Sequence, residues 1–276
     1  MAISEDCAER LDEIRKDRAS GAARLTVRAA SLLVEYAESA PEDIPEIAQA
    51  LIEAQPSMAP IYNLVRRVVA SPDVKTACTE FLDSMEQGAT RVAEIAATLI
   101  EDGMTVMTHS FSSTLLAAFR EAHQSGRNFT VICPESRPVC EGIALAASLG
   151  MSGIGARVIA DAAAYRLLPT AQIVWVGADA ISLQGVSNKT GTALIALAAR
   201  ELGVPFYVLC SSDKFLPASY SPPPEGPKNP AEILDRELPH VTAINYYFAL
   251  TPLSCVSGIV TEDGILAPGE LKRMLA

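Results

Sequence analysis

The chain has 276 residues, 49% of them apolar and 20% charged, which supports one or two folding units with a substantial core and argues against disorder. Its 33 acidic residues outnumber 22 basic ones, for a formal net charge of −11. That balance disfavours direct nucleic-acid binding and adhesion to an anionic membrane, since both need clustered lysine and arginine.

An anionic ligand therefore has to be caught locally, by a few basic groups and backbone amides. Met1 to Arg18 is charged and has no apolar run, so no signal peptide is expected, and no stretch approaches the ~20 apolar residues that span a bilayer. The six cysteines (Cys7, Cys78, Cys133, Cys140, Cys210 and Cys255) form no CxxC pair, and there are three histidines. These features predict a cytoplasmic protein with reduced, mostly buried thiols and no metal or other cofactor.

The first hundred residues have a helical texture. Helices are predicted from Ser4 to Ala19, from the Ser20-Gly21 restart to Ala37, from Pro41 to Ala54 and from Pro60 to Ala70. Val74, Cys78, Phe81, Met85, Val92, Ile95 and Leu99 then recur at helical spacing. At ~1.5 Å per residue that helix is ~40 Å long, a spine joining two halves.

From Met104 the period changes. Short apolar runs (Met104–Thr108, Phe129–Cys133, Ala156–Ile159, Ile173–Val176, Pro205–Leu209, Val256–Thr261) alternate with helical stretches at Ser112–His123, Val139–Leu149, Ala162 onward and Thr192–Leu202. Apolar strands separated by helices imply a parallel sheet covered on both faces. Ser219–Asn229 holds four prolines in eleven residues and reads as a surface loop. The expected fold is α/β: a helical domain over 1–102, followed by a Rossmann-like parallel-sheet domain over 103–276.

In such a sheet, ligands bind outside the carboxyl ends of the strands. Each corner there is polar: Thr108-His109-Ser110-Phe111-Ser112-Ser113, Pro134-Glu135-Ser136-Arg137-Pro138, Asp161, Gly177-Ala178-Asp179, and Ser211-Ser212-Asp213-Lys214. Asn188-Lys189-Thr190-Gly191-Thr192 is read as the opening of the helix that follows the fourth corner. Hydroxyls, free amides, Arg137, Lys189 and Lys214 suit a phosphate. Asp179, beside Lys189, suits a general base or an anchor for sugar hydroxyls. Taken singly, these residues also have plainer uses. Ser112, Asp161 and Asp179 suit caps, Arg137 suits a pair with Glu135 or Glu141, and His109 suits a satisfied core position.

MTHSFSS (107–113), PESRPVCEG (134–142), GADAI (177–181), NKTGT (188–192) and TPLSCVSGIVTEDG (251–264) together resemble one superfamily, as do SGAARL (20–25) and QPSMAPIYN (55–63). It unites the alpha, beta and delta subunits of translation initiation factor 2B with isomerases of ribose 1,5-bisphosphate and methylthioribose 1-phosphate. The resemblance covers essentially the whole chain. It implies a ligand pocket between the two domains and a homodimer formed through the C-terminal domain.

In the isomerases a cysteine and an aspartate move protons between C1 and C2 of the ring-opened sugar. The resemblance maps the aspartate onto Asp179, and puts Asn188 and Lys189 near the sugar. Where the ribose-bisphosphate enzyme has its cysteine, this chain has Ser110, a far weaker acid than a thiol of pKa about 8.5. Cys133 is the other candidate for that role. The family's phosphate-binding arginine is replaced by Ser20, with Arg24 one turn away, and its Phe-Asp step is Phe248-Ala249.

The expected site thus takes Asp179, Ser110 and Cys133 as chemical groups. Its ligand contacts are Ser20, Arg24, Ser112, Ser113, Glu135, Arg137, Asn188, Lys189 and Lys214. The expected function is binding of a phosphorylated sugar or nucleotide. The alternatives are aldose–ketose isomerisation with Asp179 as proton carrier and a regulatory scaffold acting through its surface.

Overall fold

A computed structural model describes residues 3–17, 20–223 and 225–275. The chain starts with five helices: α1 (Glu5–Lys16), α2 (Ala22–Ser39), α3 (Ile44–Ala54), α4 (Ala59–Val69) and α5 (Val74–Ala97). Their ends follow local chemistry. The Ser4 hydroxyl accepts from Cys7 N–H at 3.2 Å, acidic residues fill the first turn of α1 and basic ones its last. Ala19, where α1 was expected to end, lies outside the described residues. Pro41–Asp43 forms a 3-10 turn, so α3 begins three residues later than its proline suggests.

Apolar residues at helical spacing bury one face of each helix, and Leu25, Leu33, Ile47, Leu51, Ile61 and Leu64 meet in one core. At 24 residues, α5 is ~36 Å long, and it stops short of Leu99. Phe81 belongs to the helical core, whereas Val92, Ala93 and Ala96 pack in another, against the sheet. Gly88 sits between them. A Cβ there would lie 2.9 Å from the Cβ of Ser211, so only glycine lets α5 pass this close to the strand ends.

The α/β part runs β1 (Thr105–Met107), α6 (Ser113–Gln124), β2 (Thr130–Pro134), α7 (Glu141–Met151), β3 (Gly155–Ile159), α8 (Ala164–Leu167), β4 (Ile173–Val176), β5 (Ala180–Ser182) and β6 (Gly185–Lys189). It continues with α9 (Thr192–Leu202), β7 (Phe206–Leu209), β8 (Phe248–Thr251), β9 (Gly258–Thr261), β10 (Gly264–Leu266) and α10 (Pro268–Leu275). Seven strands form one sheet in the order β10-β9-β7-β4-β1-β2-β3, parallel except for the β9–β10 pair. Strand alternation splits its side chains. Val106, Val131, Cys133, Trp175 and Val260 face α5, α6 and α7, while Met107, Ile132, Val174, Val208 and Ile259 face α8, α9 and α10.

Three elements depart from the expected pattern. Strands β5, β6 and β8 form a separate antiparallel sheet in the order β5-β6-β8. Asn188 and Lys189, read from sequence as a helix opening, end strand β6 and pair with Ala249 and Phe248 of β8. Helix α9 starts only after Gly191, at φ +99°, where a Cβ would come within 2.8 Å of the His109 ring. Strand β10 and helix α10 close the chain. The described residues of Ser219–Asn229 hold no helix or strand, as their prolines require. No helix among the described residues is long and apolar enough to cross a membrane.

Candidate functional site

A cleft of about 1190 Å³ separates the helical bundle from the carboxyl edge of the large sheet. The helical side supplies Ser20, Arg24, Met58 and Met85. Opposite them stand Ser110, Ser112 and Ser113 after β1, Asp179 after β4, Asn188 and Lys189 at the end of β6, and Lys214 after β7. Sequence segments up to two hundred residues apart thus face one space.

Asp179 is fixed through its backbone. Its N–H donates to Ser187 O at 2.9 Å, and its carbonyl accepts from Ala59 N–H at 2.9 Å, which ties the start of α4 to the site. Its carboxyl has no hydrogen-bond partner among the described residues, and burial raises its pKa to about 6. Lys214 and Lys189 oppose that shift, and Glu141 and Glu225 add to it.

Lys189 is 5% exposed. Its ammonium pairs with Glu141 Oε1 and lies 4.8 Å from the Tyr247 ring centroid and 5.5 Å from that of Phe248. Its ion-pair partner is Glu141 rather than Asp179, and Glu141 is likewise not the partner of Arg137. The sequence reading missed Glu141 as a cleft residue. The signal was an acidic residue at the first position of α7, directly before Gly142. Glu141 Oε2 is buried without a hydrogen-bond partner among the described residues.

Lys214 sits in a 3-10 turn and forms no ion pair within 4 Å among the described residues. The neighbouring Asp213 is held by the Ser211 hydroxyl, and burial raises its pKa. Asn63 on α4 donates to the carbonyls of Asp213 at 2.8 Å and Phe215 at 2.9 Å, so a helix of the bundle positions this corner too.

The first turn of α6 faces the cleft through Ser112, Ser113 and Thr114. Ser112 caps the helix, accepting from Leu115 N–H at 3.4 Å, so its capping role and its place at the cleft coexist. A Cβ at position 177 would lie 2.9 Å from Ser112 Oγ, which is why the fourth corner carries a glycine. Ser110 is held at φ +64°, with its N–H donating to Ser136 Oγ at 2.7 Å. His109 lies behind it. Its Nε2 contacts Thr190 O at 2.7 Å and its Nδ1 contacts Ser136 Oγ at 3.3 Å. Burial lowers its pKa, which favours the neutral ring, and both ring nitrogens have partners. His109 rivets three corners and is a satisfied core histidine.

Three expected site residues lie elsewhere. Cys133 is fully buried between the sheet and α5–α7, where burial pushes its pKa up to about 12. Its place in the strand turns it to that layer. Glu135 and Arg137 do not line the cleft. Ser136 and Cys140, on either side of Arg137, both adopt left-handed backbone. Arg137 donates through its backbone to Asp161 at 2.8 Å and through its guanidinium to Glu232 O at 2.9 Å. Asp161 also accepts from Ser136 N–H at 2.7 Å, so it braces the corner. Lys228, inside the proline-rich segment, lines the cleft and had no periodic signal to mark it.

The model of the initiation factor 2 subunit family matches residues 18–268. A Pyrococcus horikoshii protein described as translation initiation factor eIF-2B subunit 2-like is 38% identical over 96% of this chain and 98% of its own length. A ribose 1,5-bisphosphate isomerase of Archaeoglobus fulgidus is 32% identical over 96% of this chain and 90% of its own. The crystal structure of Pyrococcus horikoshii translation initiation factor eIF-2B superposes with a TM-score of 0.89 at 36% identity, covering 99% of this chain and 100% of that one. By sequence and by fold, the chain belongs to the initiation factor 2 subunit family.

Proposed function

We propose that the cleft binds a phosphorylated sugar or nucleotide. The observation that carries this reading is the grouping of Asp179, whose carboxyl accepts no hydrogen bond among the described residues, with Lys214, which makes no ion pair within 4 Å among them, and the first turn of α6. The helix N-terminus and Lys214 suit a phosphate, while Asp179 and Asn188 suit hydroxyl groups. Arg24, exposed on the helical side and free of ion pairs among the described residues, adds a second cationic contact. A family with a sugar-phosphate isomerase among its members fits that ligand class. Calorimetric titration with ribose 5-phosphate, ribose 1,5-bisphosphate, AMP and GMP tests it: at least one is expected to bind, and silence from all four at millimolar concentration removes the reading.

A second reading is aldose–ketose isomerisation of a sugar 1-phosphate. Opening the ring requires a proton at the ring oxygen. Isomerisation then takes one from C2 and from the C2 hydroxyl and delivers one to C1. Asp179, raised to about 6, is matched to accept and return a proton near neutrality. Cys133 is walled off from the cleft, which leaves Ser110 as the only other group of the expected set. Asp179→Asn is expected to abolish turnover with the fold intact, and surviving activity rules the assignment out. The same reading takes the protein as a homodimer joined through its α/β part, so light scattering at the mass of one chain contradicts that element.

A further inference from the structure

The cations around the cleft are not equally available. Lys189 is sealed against Glu141 and two aromatic rings. Lys228 is held differently. Its backbone is fixed, with its N–H donating to Asn245 O at 2.8 Å and the next carbonyl, of Asn229, accepting from Asn245 Nδ2 at 3.0 Å. Its ammonium, 5.6 Å from the Tyr247 ring centroid, pairs among the described residues with one carboxylate, Glu225 Oε1 at 3.2 Å. That oxygen is buried and makes no hydrogen bond among the described residues, so the contact is one of charge without alignment.

The other oxygen of Glu225 is fully committed. Oε2 accepts from the N–H groups of Tyr247 at 2.9 Å and Phe248 at 2.8 Å, at the start of β8. Glu225 thus keeps two backbone donors on Oε2 if the lysine leaves. A rigid backbone, a flexible four-carbon stem and a loosely engaged ammonium at the rim of an anion-binding cleft describe a cation ready to change partners.

We propose that Lys228 binds the phosphate of the cleft's ligand by exchanging Glu225 for it. This rests on the reading that the cleft takes a phosphorylated ligand. Lys228 and Lys214 are then the phosphate-binding lysines, and Lys189 is a fixed element of the wall.

Calorimetry with ribose 5-phosphate and AMP on the full chain, alongside thermal melting, tests this. Lys228→Ala is expected to weaken whichever probe binds by about tenfold or more while still melting cooperatively, because a charge-assisted hydrogen bond is lost. Lys228→Arg is expected to stay within about threefold of the parent, and Glu225→Gln, which frees the ammonium, to bind as well or better. Parent-like binding by Lys228→Ala overturns the proposal and leaves the cleft reading standing. So does equal weakening in Glu225→Gln, since Lys228 would then act only through its pair. If the parent chain binds neither probe nor any other phosphorylated ligand, both fall together.

Discussion

The two sheets of this protein are built on opposite principles. The seven-stranded sheet is a packing element. Its central strand β4, Ile-Val-Trp-Val, is buried on both faces, and its side chains divide between two apolar layers. The three-stranded sheet is short, antiparallel and polar at its working end. It carries Asn188 and Lys189 in β6, leads from Asp179 into β5, and holds Phe248 of β8 against Lys189. One sheet makes the fold stable, and the other spends stability to present charged groups in a cleft. Perturbing the first should cost folding energy, whereas perturbing the second should change charge balance and ligand behaviour.

The largest effect falls on the large sheet. Trp175 is fully buried and stacks on Phe119 at 5.3 Å between ring centroids. Trp175→Ala is expected to destabilise by about 3–5 kcal/mol, measured by chemical denaturation. Next comes the wall of the cleft. Glu141→Ala leaves the Lys189 ammonium buried and without its carboxylate, at a cost of about 3 kcal/mol. Glu141→Gln, which keeps the shape and an acceptor, should cost less, and equal losses would show that charge rather than packing matters there.

Asp179 should behave in the opposite sense. Its carboxyl is raised from 3.8 to about 6 in the folded protein, so folding favours the protonated form. The stabilising contribution is complete below pH 4 and is lost as pH rises through 6, amounting to at most about 3 kcal/mol. Asp179→Asn should therefore raise the melting temperature at pH 7 and flatten its dependence between pH 4 and 6, while abolishing ligand binding or turnover. A variant less stable than the parent at pH 7 would mean that the carboxylate is stabilised in the fold. The smallest effect belongs to the helix cap: Ser112→Ala should cost about 1 kcal/mol, with ligand affinity falling as the first turn of α6 loosens.

The same contrast explains what could be read from the sequence. Apolar periodicity marked every helix of the bundle and all the central strands of the large sheet, because burial on a regular element leaves a repeat. Strand β6, Gly-Val-Ser-Asn-Lys, has no such repeat. Its Asn188 and Lys189 are buried and line the cleft, and Gly185 and Gly191 flank them with left-handed backbone. The rule that ligands sit at strand carboxyl ends selected Ser110, Ser112, Ser113, Asp179 and Lys214, all of which line the cleft. It failed for Cys133, Glu135 and Arg137. Strand order alone does not say which face a terminal side chain takes, nor how a corner with left-handed residues curls. Lys228 was illegible because proline-rich backbone has no period.

The most direct test of the cleft as a phosphate-ligand site is a crystal of the protein soaked with ribose 5-phosphate. The predicted result is density with its phosphate at the first turn of α6 and Lys214, and its hydroxyls toward Asp179. Contradiction would come from a cleft still empty at saturating concentration, or from the ligand seated away from these residues.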